Sequence, residues 1–162
     1  MAHPFNFYHL DHYQSIRVID GDSLVLYFKN REQRIRLAFI DAPEMRQIVN
    51  GEDFGEKAKS LLVELVEGCS RLNFEVIDRD RYNRLISEVN CKEISLNFEM
   101  IRRGFAKLYY WSIFRSVEQK QRYKKAYKDG KREKIGLMKY KWDPYKFRKR
   151  KLKKPSSEGH KN

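Results

Sequence analysis

The stretch "RIRLAFIDAPEMR", residues 34–46, decides how this chain is read. Its first half is a strand: in "QRIRLAFI" the residues Ile35, Leu37 and Phe39 share one face, and Arg36, Ala38 and Ile40 share the other. Arg36 therefore points away from the apolar face. The strand then runs directly into Asp41-Ala42-Pro43-Glu44, which places two carboxylates at its open end.

Upstream, "SIRVI" and "SLVLYF" are rich in β-branched and aromatic residues, and the turn signals "DGD" and "KNRE" set off a three-strand meander. Downstream, a loop follows Pro43. Phe54, Ala58, Leu61, Leu62, Leu65 and Val66 then recur at helical spacing, with Gly68 placed to end the helix. "RLNFEVID" and "RLISEV" predict a second hairpin around "RDRYN", and a short helix is expected from about Leu96 to Gly104, with "FAKLYYW" as a last strand. Val117 to Lys134 reads as a basic helix with a thin apolar face, on which Val117, Gln121, Lys124 and Tyr127 share one spacing. About five short strands, with one helix inserted after the third and others behind, predict an α+β fold: a five-stranded OB-type barrel with three helices.

The meander carries chemistry as well as shape. It brings the "DGD" turn and the end of the third strand to one rim, so Asp22 and Asp41 are expected to face each other. Carboxylates held close repel unless a proton or cation intervenes. An all-oxygen pair with no adjacent His or Cys selects Ca²⁺, Mg²⁺ or Mn²⁺ over zinc or copper.

Bulk properties bound the function class. The chain has 162 residues and a net charge of +13, and from Lys139 onward it holds ten Lys or Arg against two acids. A modestly basic body with a strongly basic end suits a polyanion, either nucleic acid or an acidic membrane surface. Cys69 and Cys91 are the only cysteines and form no CxxC pair, which excludes a zinc ribbon, and both are expected as free thiols. His9 and His12 form an HxxH pair with no third ligand nearby, so residues 1–13 are expected to be a loosely packed extension. No run of about 18 apolar residues occurs, so no bilayer span is predicted. The N-terminus lacks a signal-peptide pattern, which favours an intracellular protein unless a leader was removed. The division expected is an extension over 1–13, a folded domain over 14–142 and a basic, unfolded tail over 143–162. That tail, with "RKRKLKK" at 148–154, is expected to strengthen substrate binding without entering catalysis.

The fragments "VIDGDSLVL", "RIRLAFIDAPE", "DRYNR" and "SLNFEMIRRGFAKL", in this order from about Ile16 to Met138, resemble the staphylococcal nuclease (thermonuclease) family. The resemblance implies a five-stranded OB barrel with three helices, agreeing with the pattern above. It also implies a calcium-dependent endonuclease that leaves 3′-phosphate and 5′-hydroxyl ends on DNA or RNA with little sequence preference. By position, Asp22 and Asp41 are the implied calcium carboxylates, with Ala42 supplying a backbone carbonyl. Glu44 is the implied general base or water positioner, Arg36 and Arg84 the contacts to the scissile phosphate, and Tyr82 and Tyr110 residues near the bound nucleotide. A monomer is expected. Ala42 replaces a usual Thr, Ser23 replaces another, Asn83 stands where Gly is common, and Met138 stands where an aromatic is usual. The competing class is a non-catalytic nucleic-acid-binding OB module; retention of all five charged positions favours catalysis.

Overall fold

The computed structural model describes residues 7–109 and 113–143. Tyr110 and, from residue 144 onward, the basic tail, both singled out above, lie outside the described residues.

The meander forms as its alternation predicts. Strands β1 (Ser15–Asp20), β2 (Ser23–Phe28) and β3 (Arg31–Leu37) pair antiparallel in order. A register shift between Val18 and Asp20 lets Asp20 face Ser23, so the hairpin closes tightly over Gly21 and Asp22.

The third strand does not run through to Ile40 as the sequence pattern suggests. Phe39 takes a left-handed backbone (φ 69°), and the chain resumes as a separate short strand, β4 (Ile40–Asp41). Ala38 N–H donates to the Ser87 carbonyl at 2.8 Å just before the break. Ala38, Phe39 and Ile40 are all buried, so strict alternation has no solvent face to obey here.

The loop after Pro43 carries a two-residue hairpin, β5 (Ile48–Val49) with β6 (Glu52–Asp53). Asn50 and Gly51 both have positive φ, the backbone that an Asn-Gly turn favours. Helix α1 (Phe54–Glu67) follows, with the Asp53 side chain accepting from Glu56 N–H and with Ala58, Leu61, Leu62 and Val66 turned into the core.

Strands β7 (Leu72–Arg79) and β8 (Leu85–Cys91) form the second hairpin, and β8 lies parallel to β3. The short β9 (Ile94–Ser95) pairs with β8 and leads into α2 (Leu96–Arg102). The five long strands run in the order β1-β2-β3-β8-β7. With α1, α2 and α3 (Val117–Glu133), this is the α+β OB architecture expected. The expected last strand shrinks to β10 (Lys107–Leu108), which pairs with β4 and sets Lys107 opposite Asp41.

Three further expectations are corrected. Cys69 and Cys91 form a disulfide, with Cα atoms 5.8 Å apart, rather than two free thiols. The β7–β8 register places Cys91 beside Leu72, close to the end of α1 that carries Cys69, a contact that cysteine spacing cannot reveal. The N-terminal segment is not loose where it is described: Phe7–His12 forms a 3₁₀ turn, Leu10 enters the core at 6% exposure, and Tyr13 meets Phe74 edge-on at 5.9 Å. On α3 the buried face is Tyr123, Tyr127 and Gly130, while Val117 is 65% exposed.

α3 is anchored by a carboxylate that the sequence did not flag. Buried Glu88 on β8 accepts from Ser95 Oγ (2.8 Å), Tyr123 Oη (2.7 Å) and Gln119 Nε2 (2.7 Å). Burial, and next the Glu88 charge, push the Tyr123 phenol well above its usual range.

Candidate active site

Each candidate side chain is placed by a local feature. The tight β1–β2 turn presents Asp22, whose Oδ2 accepts from Ala42 N–H at 2.7 Å and whose Oδ1 accepts from Ser23 Oγ at 3.2 Å. The β2–β3 register sets Arg36 opposite Ser23, one residue from Asp22. The turn at Phe39 brings Asp41 back toward the same point. Arg36 Nη2 lies 3.2 Å from Asp22 Oδ2 and 3.3 Å from Asp41 Oδ1, while Nη1 donates to the Leu37 carbonyl at 2.6 Å. Two carboxylates from separate elements thus converge on one guanidinium nitrogen. That positive charge permits their approach. Asp41 is only 1% exposed and does not itself line the cleft described below.

Asp20, two residues before Asp22, belongs to the same cluster. Its Oδ1 accepts from Asp22 N–H at 3.0 Å. Burial, and next the Asp22 charge, push its carboxyl up to about 6.

Arg84 is held from the other side of the cleft. In "DRYNR", Asp80 Oδ1 accepts the backbone N–H of Tyr82 (2.9 Å) and of Arg84 (3.0 Å), and its Oδ2 pairs with Arg84 Nε at 2.7 Å. Asn83 completes the turn with φ 62°, the left-handed backbone that Asn tolerates. Burial raises the Asp80 carboxyl, but the hydrogen bonds and charge of Arg84 bring it below its usual value on balance. Tyr82 is 62% exposed, with the guanidinium carbons of Arg81 and Arg84 at 4.9 and 5.7 Å from its ring centre.

Glu44 is positioned by a buried glutamine. Its backbone N–H donates to Gln47 Oε1 at 3.0 Å, and its carbonyl accepts from Gln47 N–H at 3.0 Å. Asp20, Asp22, Arg36, Glu44, Arg84 and Tyr82 line one open cleft of about 820 Å³, whose apolar wall includes Ile77, Ile86 and Ile113.

The donor set suits a hard cation only in part-protein coordination. Asp22 and Asp41 offer carboxylate oxygens and Ala42 a backbone carbonyl. Among the described residues no three His, Cys, Asp or Glu side chains group as a metal cage. An oxygen-seeking ion that keeps open positions for water and substrate matches this set; a closed structural site does not.

Sequence reasoning missed Asp80, Gln47 and Asn97. Asp80 stands four residues before Arg84 in "DRYNR", where an Asp opening a turn is the local signal for it. Asn97 interrupts the apolar face of α2; it accepts from Val89 N–H at 2.9 Å and donates to the Ala38 and Ser87 carbonyls at 3.0 Å each, which holds the Phe39 break in place.

The family described as staphylococcal nuclease homologue is matched over residues 34–140. The chain belongs to this family. Among its relatives are an uncharacterized endonuclease of Escherichia coli O157:H7, 33% identical over 99 residues, covering 60% of this chain and 61% of that protein. An uncharacterized endonuclease of Haemophilus influenzae is 35% identical over 95 residues, covering 58% and 50%. A probable staphylococcal-like nuclease of Oryza sativa subsp. japonica is 36% identical over 76 residues, covering 47% and 21%. The chain therefore spans less than two thirds of the length of these curated relatives. The matched region of this nuclease homologue holds Arg36, Asp41, Glu44 and Arg84; Asp22 lies upstream of it and joins them through Arg36 and the Ala42 N–H.

Proposed function

We propose that this protein is a calcium-dependent endonuclease that hydrolyses phosphodiester bonds of DNA or RNA to 3′-phosphate and 5′-hydroxyl ends with little sequence preference. The observation that carries the reading is the convergence of Asp22 and buried Asp41 on Arg36, with Asp22, Arg36, Glu44 and Arg84 lining one cleft. Membership of a nuclease family and relatives named as endonucleases support it.

Asp22, Asp41 and the Ala42 carbonyl would hold Ca²⁺, which supplies Lewis-acid polarisation of a phosphate oxygen when bound. The chain's own groups do the remaining work. Arg84 would present a planar fork to the phosphate oxygens, and Arg36 would do so on leaving its pairing with Asp22 and Asp41; both bind most strongly once negative charge has built up on the oxygens of the pentacovalent state. Asp80 holds the Arg84 fork in register from behind. Glu44, which lines the same cleft, would either take the proton of the attacking water or orient that water. Tyr82, exposed beside Arg84 at the cleft, would flank the bound nucleotide, and the family resemblance implies the same role for Tyr110.

Plasmid digestion in Ca²⁺, in Mg²⁺ and in excess chelator, followed by end-group analysis, tests the proposal. Cleavage confined to added Ca²⁺, with 3′-phosphate ends, is expected; full activity in chelator, or 5′-phosphate ends, overturns it. Mg²⁺ is expected to support little turnover because it demands a tighter octahedral shell.

A further inference from the structure

Helix α3 carries seven Lys or Arg and three acids, and the fold sorts them onto two flanks. On one flank the charges cancel. Lys125 Nζ pairs with Asp129 at 2.6 Å, and Arg132 pairs with Asp129 and with Glu133, each at 3.1 Å. On the other flank Lys120, Lys124, Lys128 and Lys131 are all exposed and make no ion pair among the described residues. Their spacing of four, four and three residues aligns them in a single stripe roughly 16 Å long at 1.5 Å per residue. Like charges at this spacing destabilise a helix by themselves, a cost that an anionic partner offsets.

Two observations orient the stripe. Lys131 lies close enough to Lys107 to contribute to lowering its pKa, behind the larger effect of burial, and Lys107 is the register partner of Asp41. At the opposite end α3 begins four residues after Ile113, which lines the cleft. The helix thus starts close in sequence to the cleft wall, and its unpaired flank ends at Lys131 near Lys107, the register partner of Asp41.

We propose that this lysine stripe is a second nucleic-acid surface, which tracks the phosphate backbone of the substrate strand outside the cleft; the inference rests on the nuclease reading above. A nucleic acid fits better than a membrane surface, because Val117 is the one large apolar side chain exposed on the helix and interfacial helices need a broad apolar face. A backbone-tracking surface contributes affinity without reading sequence, consistent with the weak sequence preference proposed.

The test uses the full chain in chelator, so that binding is read without cleavage. Lys120→Gln/Lys124→Gln/Lys128→Gln/Lys131→Gln is compared with Lys125→Gln/Arg132→Gln on the paired flank, with helix content checked by circular dichroism. Binding to a long duplex, to a long single strand and to a dinucleotide is followed across a salt series. The stripe variant is expected to flatten the log–log salt slope on duplex by about 3 to 4, at roughly 0.9 per phosphate, and on single strand by about 2 to 3. Dinucleotide binding should stay within about twofold, and the paired-flank variant should change the slope by less than about 1. An unchanged slope on the long ligands overturns the proposal, as does an equal loss on the dinucleotide. Loss of binding to phosphatidylserine vesicles with nucleic-acid binding intact overturns it in favour of a membrane. Plasmid cleavage by the unmodified chain reads the nuclease assignment separately: a chain that binds through the stripe yet never cleaves sinks that assignment alone.

Discussion

The carbonyl oxygen of Glu44 packs directly on Gly55, the second residue of α1, so that a Cβ at Gly55 would collide with it and meet the Glu44 carbonyl carbon and Met45 Cα at 2.8 Å. The loop that presents Glu44 is seated on the helix only because that position has no side chain. Gly55→Ala should therefore shift Glu44 while leaving the sheet intact. Overpacking of this kind costs about 1–3 kcal/mol, and displacement of a catalytic group by about 1 Å costs on the order of 10² in turnover. Denaturant unfolding and kcat at saturating Ca²⁺ check the two effects, and wild-type kcat would show that the contact does not position Glu44.

Glu44→Gln, Arg84→Ala and Arg36→Ala should each lower turnover by on the order of 10² or more, as loss of preorganised catalytic groups does. Arg36→Ala should differ from the other two in one respect. It removes the charge between Asp22 and Asp41, so metal-free protein should lose stability and Ca²⁺ should restore more of it than in wild type. Thermal unfolding with and without Ca²⁺ separates the variants; equal calcium-dependent gains in all of them would contradict the bridging role.

The Asp80–Arg84 clamp carries a pH signature. The Asp80 carboxyl is lowered in the folded state, so its contribution is present above the ordinary carboxylate value and is lost as pH falls through the lowered one. Asp80→Asn should cost on the order of 1 kcal/mol at neutral pH, since the pair is partly solvent-screened. The difference from wild type should disappear in strong acid. Turnover should fall as the guanidinium loosens. A constant stability gap from pH 7 to pH 2 would rule out the charge pairing as its cause.

The Cys69–Cys91 bridge closes a loop with a sequence separation of 22. The chain-entropy relation makes such a closure worth about 3 kcal/mol. Cys69→Ala/Cys91→Ala should lower the unfolding free energy by about that amount, and reductant should do the same to wild type. Neither cysteine lines the cleft, so kcat should remain within a few-fold. An unchanged denaturation midpoint in reductant would exclude a stabilising bridge.

Several features of this fold were legible because they are local. Alternation in "SIRVI" and "SLVLYF", helical spacing from Phe54 to Val66 and the turn signals between them each depend on neighbours a few residues apart. The same holds for the motifs: "DGD", "DAPE" and "DRYNR" sit at element ends, where turn chemistry places polar side chains at a rim. Order along the chain then sufficed to indicate the family and to nominate Asp22, Arg36, Asp41, Glu44 and Arg84.

Other features depend on pairings between distant segments, which periodicity does not encode. The break at Phe39 follows from Ala38 bonding to Ser87 on β8 and to Asn97 on α2, and a run buried on both faces hides it from any alternation pattern. The cysteine pair needs the β7–β8 register, and the Glu88 anchor needs α3 laid across β8 and β9. The division of α3 into a paired and an unpaired flank arises in the same way. The helix residues are visible in the sequence, but which lysines are left without an acidic partner is decided only when Tyr123 and Tyr127 are buried and the helix can no longer rotate.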